Sequence, residues 1–510
     1  MAQTAPGKNS PEPIQRQPNF AALAGSQDDK IDFVTAINAH YSQGISPEDN
    51  AASLLYQAFG PTPDDYRLSP RFFKWLGIPV PPDKGRYFVS LKQFEDHSEP
   101  LLTLFKEYYR PQWTGPWTPG QMPVIDRWLK LNEEPMRIAE RAVLRPKYFL
   151  PQDHRVGNMG LERSLSVSPL PGVQQSAFLA DAFTARAMRY AGMRQFDKCA
   201  RDIMTCYRLG RHVSNGSSLI ELIVGGSIEK RATYAARAWM MASPDRDACL
   251  QFIREFDSLP RRGTTCQAFA VHERALLMNA VQLLCESKWR EFNNDYIDSY
   301  WSDHHIRLVL DVFDGYLDRE LISTRCNEWC DRLVKASGSC QFEELIAEYA
   351  VILEERDAME QRLHTTNYDD IKRLPSEERS RAASMHIADF IIMYTGGGPL
   401  ECWERDFLLR QTTINLKVLL AAAAFKAEQG DFPEDLAQLV NDIPDLSVTD
   451  IYACDPVVFL RNESGCKVIS LGYDGRENGF ALWPTDASDD LIMTLPDTRR
   501  ALSIWNIRGP

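Results

Sequence analysis

Apolar positions recur along most of this chain at the three- and four-residue spacing of an amphipathic helix. Ile31, Phe33, Val34 and Ile37 open the pattern. Ser46-Pro47-Glu48-Asp49 reads as a helix start, with Ser46 as the cap, Pro47 in the first turn and acids at the positive end of the dipole. That helix runs through Ala51, Leu54, Leu55 and Phe59 until Gly60-Pro61 stops it. Residues 61–120 are dense in proline and aromatic residues and predict short helices joined by extended turns. Phe72, Phe73, Trp75, Tyr87, Tyr108, Tyr109, Trp113 and Trp117 are expected to fill the core between those helices rather than form a sugar-stacking platform. Thr118-Pro119 predicts a further cap, opening a helix through Ile125, Trp128 and Leu129.

From 135 to 395 helix follows helix. Phe178 to Leu209 reads as a hairpin broken near Gly192, with Ala185, Ala187 and Ala200 allowing close approach of its two arms. Leu219 to Ala235, Ala268 to Cys285 and Phe342 to Arg356 continue the pattern. Tyr394-Thr395-Gly396-Gly397-Gly398-Pro399 is the clearest break, and without a following Lys-Ser/Thr it is a connector, not a phosphate loop. A long helix from about Trp403 to Gln429 comes next and ends at Gly430, followed by a short helix begun by Phe432-Pro433-Glu434-Asp435-Leu436. After Pro444 the period changes to that of strands: Val457–Leu460, Lys467–Leu471 and Phe480–Trp483, with a turn at Asp474-Gly475.

The expected fold is therefore mainly α, with irregular stacked antiparallel helices and a small C-terminal α+β domain. The expected divisions are a disordered leader (1–30), a Pro- and aromatic-rich helical domain (31–150), a helical-hairpin body (151–395) and a long helix plus small sheet (400–510). Composition supports globularity, at 44% hydrophobic and 25% charged residues. A net charge of −13 argues against a nucleic-acid surface or one facing anionic lipid. No apolar run reaches the length of a membrane span, and the polar start shows no signal peptide.

Few groups point to chemistry. The 11 cysteines contain no Cys-x-x-Cys pair; Cys326 and Cys330 share one helix face and are expected in the core. Asp295, Asp298, Asp303, His304 and His305 crowd around Trp301, but their spacing favours a solvated face over a metal centre. His272-Glu273 lacks the second histidine of a zincin, no Gly-x-Ser-x-Gly elbow occurs, and Glu343, Glu344 and Glu348 read as surface acids.

Three resemblances sharpen this picture. The hairpin at 178–209 is similar to a single tetratricopeptide (TPR) unit, although no repeat of about 34 residues surrounds it. Gly430, Pro433, Asp455, Pro456, Ser470, Gly472, Asp474, Gly475 and Asp490 follow the order of the globular part of the major pseudopilins of type II secretion. Asn50-Ala51-Ala52, Gly60-Pro61, RPQW, PWT, WLKLNEEP and RLGRHVSNGSSLIELIVGGSIE resemble helical exported proteins of planctomycete bacteria, which carry no known activity.

The pseudopilin resemblance implies calcium on a late Asp-bearing loop. Asp474 and Asp490 match in kind, and Asp486 and Asp489 add carboxylates. Arg476-Glu477-Asn478-Gly479 replaces the glycine-rich stretch between them, which favours a relic turn without metal. The polar residues 1–30 replace the apolar filament helix, so pilus-like polymerisation is not expected. The planctomycete resemblance implies an extracytoplasmic location, and because helical stacks offer long grooves for partner segments the expected function is that of a binding or scaffold protein with a protein or peptide partner and no cofactor other than this calcium. The alternative is a hydrolase, glycosidase-like or metal-dependent, with its site between the N-terminal and helical regions.

Overall fold

In a computed structural model of the chain, residues 31–95, 115–153, 165, 170–242, 244–285, 317–339, 341–396, 401–462, 465–471 and 491–495 are described. The helices are α1 (Phe33–Tyr41), α2 (Ala51–Phe59), α3 (Pro70–Leu76), α4 (Leu91–Glu95), α5 (Pro123–Leu131), α6 (Glu133–Ala142), α7 (Val173–Gly192), α8 (Phe196–Ser214), α9 (Leu219–Met241) and α10 (Arg246–Asp257). They continue with α11 (Thr265–Ala268), a π-helical segment (Phe269–Glu273), α12 (Arg274–Cys285), α13 (Arg319–Ser337), α14 (Phe342–Thr365), α15 (Tyr368–Arg373), α16 (Ser376–Gly396), α17 (Glu401–Gln429) and α18 (Leu436–Asp442). Strands β1 (Val458–Asn462), β2 (Gly465–Ser470) and β3 (Leu491–Leu495) form one antiparallel sheet in the order β1-β2-β3. The register pairs Phe459 with Val468 and Val468 with Met493. The chain is thus mainly helical with a small sheet near its C-terminal end.

Two helix starts differ from expectation. Asn50, not Ser46, caps α2: its side chain accepts from Ala52 N at 3.1 Å, while Ser46 caps only the preceding turn, accepting from Asp49 N at 3.2 Å. Asn50 is held there because its amide also exchanges two bonds with Phe149, which fixes α2 against the strand-like stretch after α6. Thr118 closes a turn with Gln121, and Pro123 opens α5. Among the described residues the third strand is Leu491–Leu495, and the stretch Phe480–Trp483 lies outside them.

Among the described residues the buried apolar side chains form two clusters. Core one joins α2, α3, α5 and α6 to α7–α10, the C-terminal half of α17 and the sheet. Core two joins α1 to the π segment, α12–α16 and the N-terminal half of α17. Each core therefore takes residues from both sides of position 150, and the helices on either side of the glycine stretch after 395 both enter core two.

Two helices cross from one core to the other. Helix α9 gives Leu219 and Leu222 to core two and Ile228 to Met240 to core one. Helix α17, with 29 residues and so about 43 Å long, gives Cys402, Trp403 and Phe407 to core two and Leu416 to Ala424 to core one. They touch where Gly226 faces Leu409; a Cβ on that glycine would stand 2.6 Å from the leucine Cδ1.

Helices α8 and α9 approach still more closely. A Cβ on Gly225 would lie 2.5 Å from Ser214 N and 2.6 Å from Gly210 O, so the two backbones meet with no side chain between them. In an open helix Gly225→Ala gains about 1 kcal/mol from helix propensity. Here overpacking reverses the sign, and urea unfolding is expected to show a net loss of about 1–3 kcal/mol. A stabilised variant would mean that the crossing is looser than described.

Candidate functional site

Along α9 the seam between the cores is polar, in two places. The first is its N-terminus. Ser218-x-x-Glu221 is a capping box: Ser218 Oγ accepts from Glu221 N at 3.2 Å, and Glu221 Oε2 accepts from Ser218 N at 3.1 Å. Ser218 Oγ and Ser217 Oγ also donate to Oε2, at 3.0 and 3.4 Å. Around them runs a ladder from the N-terminal region. Asn38 and Gln152 exchange bonds of 2.9 and 2.7 Å, Gln152 Nε2 donates to Ser217 Oγ at 3.0 Å, and Tyr41 OH donates to Ser217 O at 3.4 Å.

From the other side comes the π segment, whose extra residue widens the turn that carries His272 and Glu273. Glu273 Oε1 accepts from Leu219 N, capping α9 from outside, and lies 3.1 Å from His272 Nδ1. Glu221 is 0% exposed, and burial raises its carboxyl above the usual range against the opposing pull of the Ser218 hydrogen bonds and of His272. Its second oxygen, Oε1, meets no donor among the described residues. Gly216 is needed beside it, because a Cβ there would overlap the carboxylate.

Two turns further along α9 is an ionic cluster. Glu229, 2% exposed, takes a fork from Arg262: Nε to Oε1 at 2.8 Å and Nη2 to Oε2 at 2.7 Å. Arg211 Nε reaches the same Oε2 at 3.0 Å. Burial pushes the Glu229 carboxyl up, but the two guanidiniums prevail and hold it below its ordinary value. Asp406 of α17 feels Arg262 and Arg410, yet burial dominates and its carboxyl is raised. Lys230, the next residue on α9, is pushed down to about 7, chiefly by burial and then by Arg231 and Arg405.

Asp474, Asp486, Asp489 and Asp490, and the group from Asp295 to His305, lie outside the described residues. Among the described residues no group of three or more His, Cys, Asp or Glu could hold a metal. Cys326 and Cys330 are buried free thiols in core two. Phe72, Phe73 and Trp117 are core, while Tyr108, Tyr109 and Trp113 lie outside the described residues. Glu343 and Glu344 are exposed, and Glu348 pairs with Lys335. Of the groups singled out in sequence whose residues are described, only His272-Glu273 joins the seam. Glu221 was open to detection as the last residue of a Ser-x-x-Glu capping box; Glu229 was visible only as an acid in a small-residue helical run.

Compared with known protein families, curated proteins and solved structures, the chain matches none. No helix among the described residues is long and apolar enough to cross a membrane.

Proposed function

We propose that the chain is a non-catalytic binding or scaffold protein of an extracytoplasmic compartment, whose helical body holds a protein or peptide partner. One observation carries this reading over the hydrolase: the buried carboxyl groups along α9, those at its N-terminus facing the N-terminal region and the one two turns further on, are committed to the fold. Glu221 closes a capping box, Glu273 caps α9 and holds His272, and Glu229 is clasped by two arginines, with Glu221 and Glu229 both shut off from solvent. A general acid or nucleophile has to reach its substrate.

The outer helices have surface to offer instead. Helix α14 buries Phe342, Leu345, Ile352, Met359 and Leu363 along one seam and turns outward a face that includes Glu343, Glu344 and Val351, the last 58% exposed. We read α7 and α8 as a TPR-like pair. The passage of α17 into a three-stranded antiparallel sheet, with Gly430 at its end in a left-handed conformation, supports a pseudopilin-like origin for the C-terminal segment.

The test is a photo-crosslinking amino acid at Val351 of the full chain in the cells that make it. The expected result is one discrete adduct with an envelope protein. Turnover of a panel of glycosides, esters and peptides, abolished by Glu273→Gln, would replace the binding reading with the hydrolase.

A further inference from the structure

We propose that Glu221 keeps its proton in the folded chain and acts as a buried acid latch between the two cores, undone when the carboxyl ionises. The geometry is asymmetric. Oε2 collects the donors of Ser217 and Ser218, as an acid's carbonyl oxygen does, whereas Oε1 has no donor among the described residues and abuts the Gly216 backbone. An ionised carboxylate needs donors on both oxygens when it is taken out of water; a neutral acid needs donors on one and only an acceptor for the O–H on the other.

The groups facing Glu221 come from every side. They are Tyr41 of α1, Tyr56 of α2, Tyr148 after α6, and His272 and Glu273 of the π segment. Two of the three tyrosine hydroxyls are given to backbone carbonyls, Tyr41 to Ser217 and Tyr56 to Pro171. Among the described residues His272 is the group that can bring positive charge, and its Nδ1 is turned to Glu273. Charge on Glu221 would therefore stand beside a second carboxylate and three hydroxyls whose own ionisation it opposes. The place matters because α9 passes here from core two to core one, and Glu221 fastens its first turn.

The linkage has a definite sign. A carboxyl raised on folding contributes stability that is complete below the ordinary glutamate value and is lost as pH climbs through the raised one. Asp181, Asp202 and Asp406 are raised in the same sense by burial, so the wild-type pH profile alone is not diagnostic. The experiment is urea unfolding of the full chain against pH, comparing wild type with Glu221→Gln, which imitates the neutral acid and cancels the other groups. The wild-type unfolding constant is expected to rise relative to the variant's by up to about tenfold per pH unit above the ordinary glutamate value. Parallel profiles would overturn the latch.

His272→Gln is the second arm, and it decides the matter where the glutamine variant does not fold. It removes a charge that favours the ionised form, so the descent in stability should begin at the same pH and run on to higher pH. A descent that ends where the wild type's ends would overturn the proposal. Infrared spectra taken just above the ordinary glutamate value, within the descent, supply an independent readout: the wild type should carry a protonated-carboxyl band that Glu221→Gln removes, and identical spectra count against the latch.

Discussion

Glu229→Ala is expected to cost the folded chain about 3–5 kcal/mol. The reason is what it leaves behind. Arg262 and Arg211, with side chains only 7% and 11% exposed, lose the carboxylate that neutralises them. Asp406 remains nearby, but burial raises it, and it offers a poorer counter-charge than a carboxylate clasped at 2.7–3.0 Å. Urea unfolding followed by circular dichroism measures the loss, and a cost below about 1 kcal/mol would put the cluster with solvent-screened pairs. The pH dependence runs opposite to that of Glu221. Glu229 is held below its ordinary value, so its contribution is complete above that value and is lost as pH falls through the depressed one. Wild type should therefore lose stability in acid faster than Glu229→Gln does.

Trp329→Ala should cost a similar amount, about 3–5 kcal/mol, through a different mechanism. Trp329 is 0% exposed and lies on α13 with Cys326, Cys330 and Leu333 in core two. Truncation leaves a cavity in a region packed by several helices. Trp329→Phe should cost only about 1–2 kcal/mol, partly because the indole N–H finds no acceptor among the described residues and its removal relieves that deficit. Because α9 and α17 belong to both cores, this change and Glu229→Ala should shift one common unfolding transition. Two separated transitions for Trp329→Ala would show that the cores melt independently.

Helix existence was legible in the sequence wherever period and punctuation agreed. Helix α17 ends at Gln429 with Gly430 at φ 84°, where the glycine predicted it, and the hairpin break falls at Met193 to Gln195. Helix starts were less legible. Ser46 and Thr118 have the chemistry of caps, but a long-range bond from Asn50 to Phe149 and the fixed φ of Pro123 decided where the first turns begin. The two cores were hidden because periodicity says which face of a helix is buried, not against which partner. Leu219 and Ile228 look alike along the chain and enter different cores. The polar seam was hidden for the same reason: Glu229 reads as a surface acid until Arg211 and Arg262, from α8 and the loop before α11, converge on it.

The interleaving of the two cores also bears on how the chain is made. Core one needs α7–α10 early in the sequence and Leu416 to Ala424 of α17 much later. At ribosomal speeds of about 5–20 residues per second, roughly 160 residues of further synthesis correspond to about 8–30 s during which that apolar face waits for α17. Core two grows in the same interval and closes on the first turns of the same helix. The nascent chain thus carries an unfinished surface through much of translation, a natural hold for a chaperone, and α17 joins the two cores as it emerges, leaving core one to be closed by α18 and the sheet.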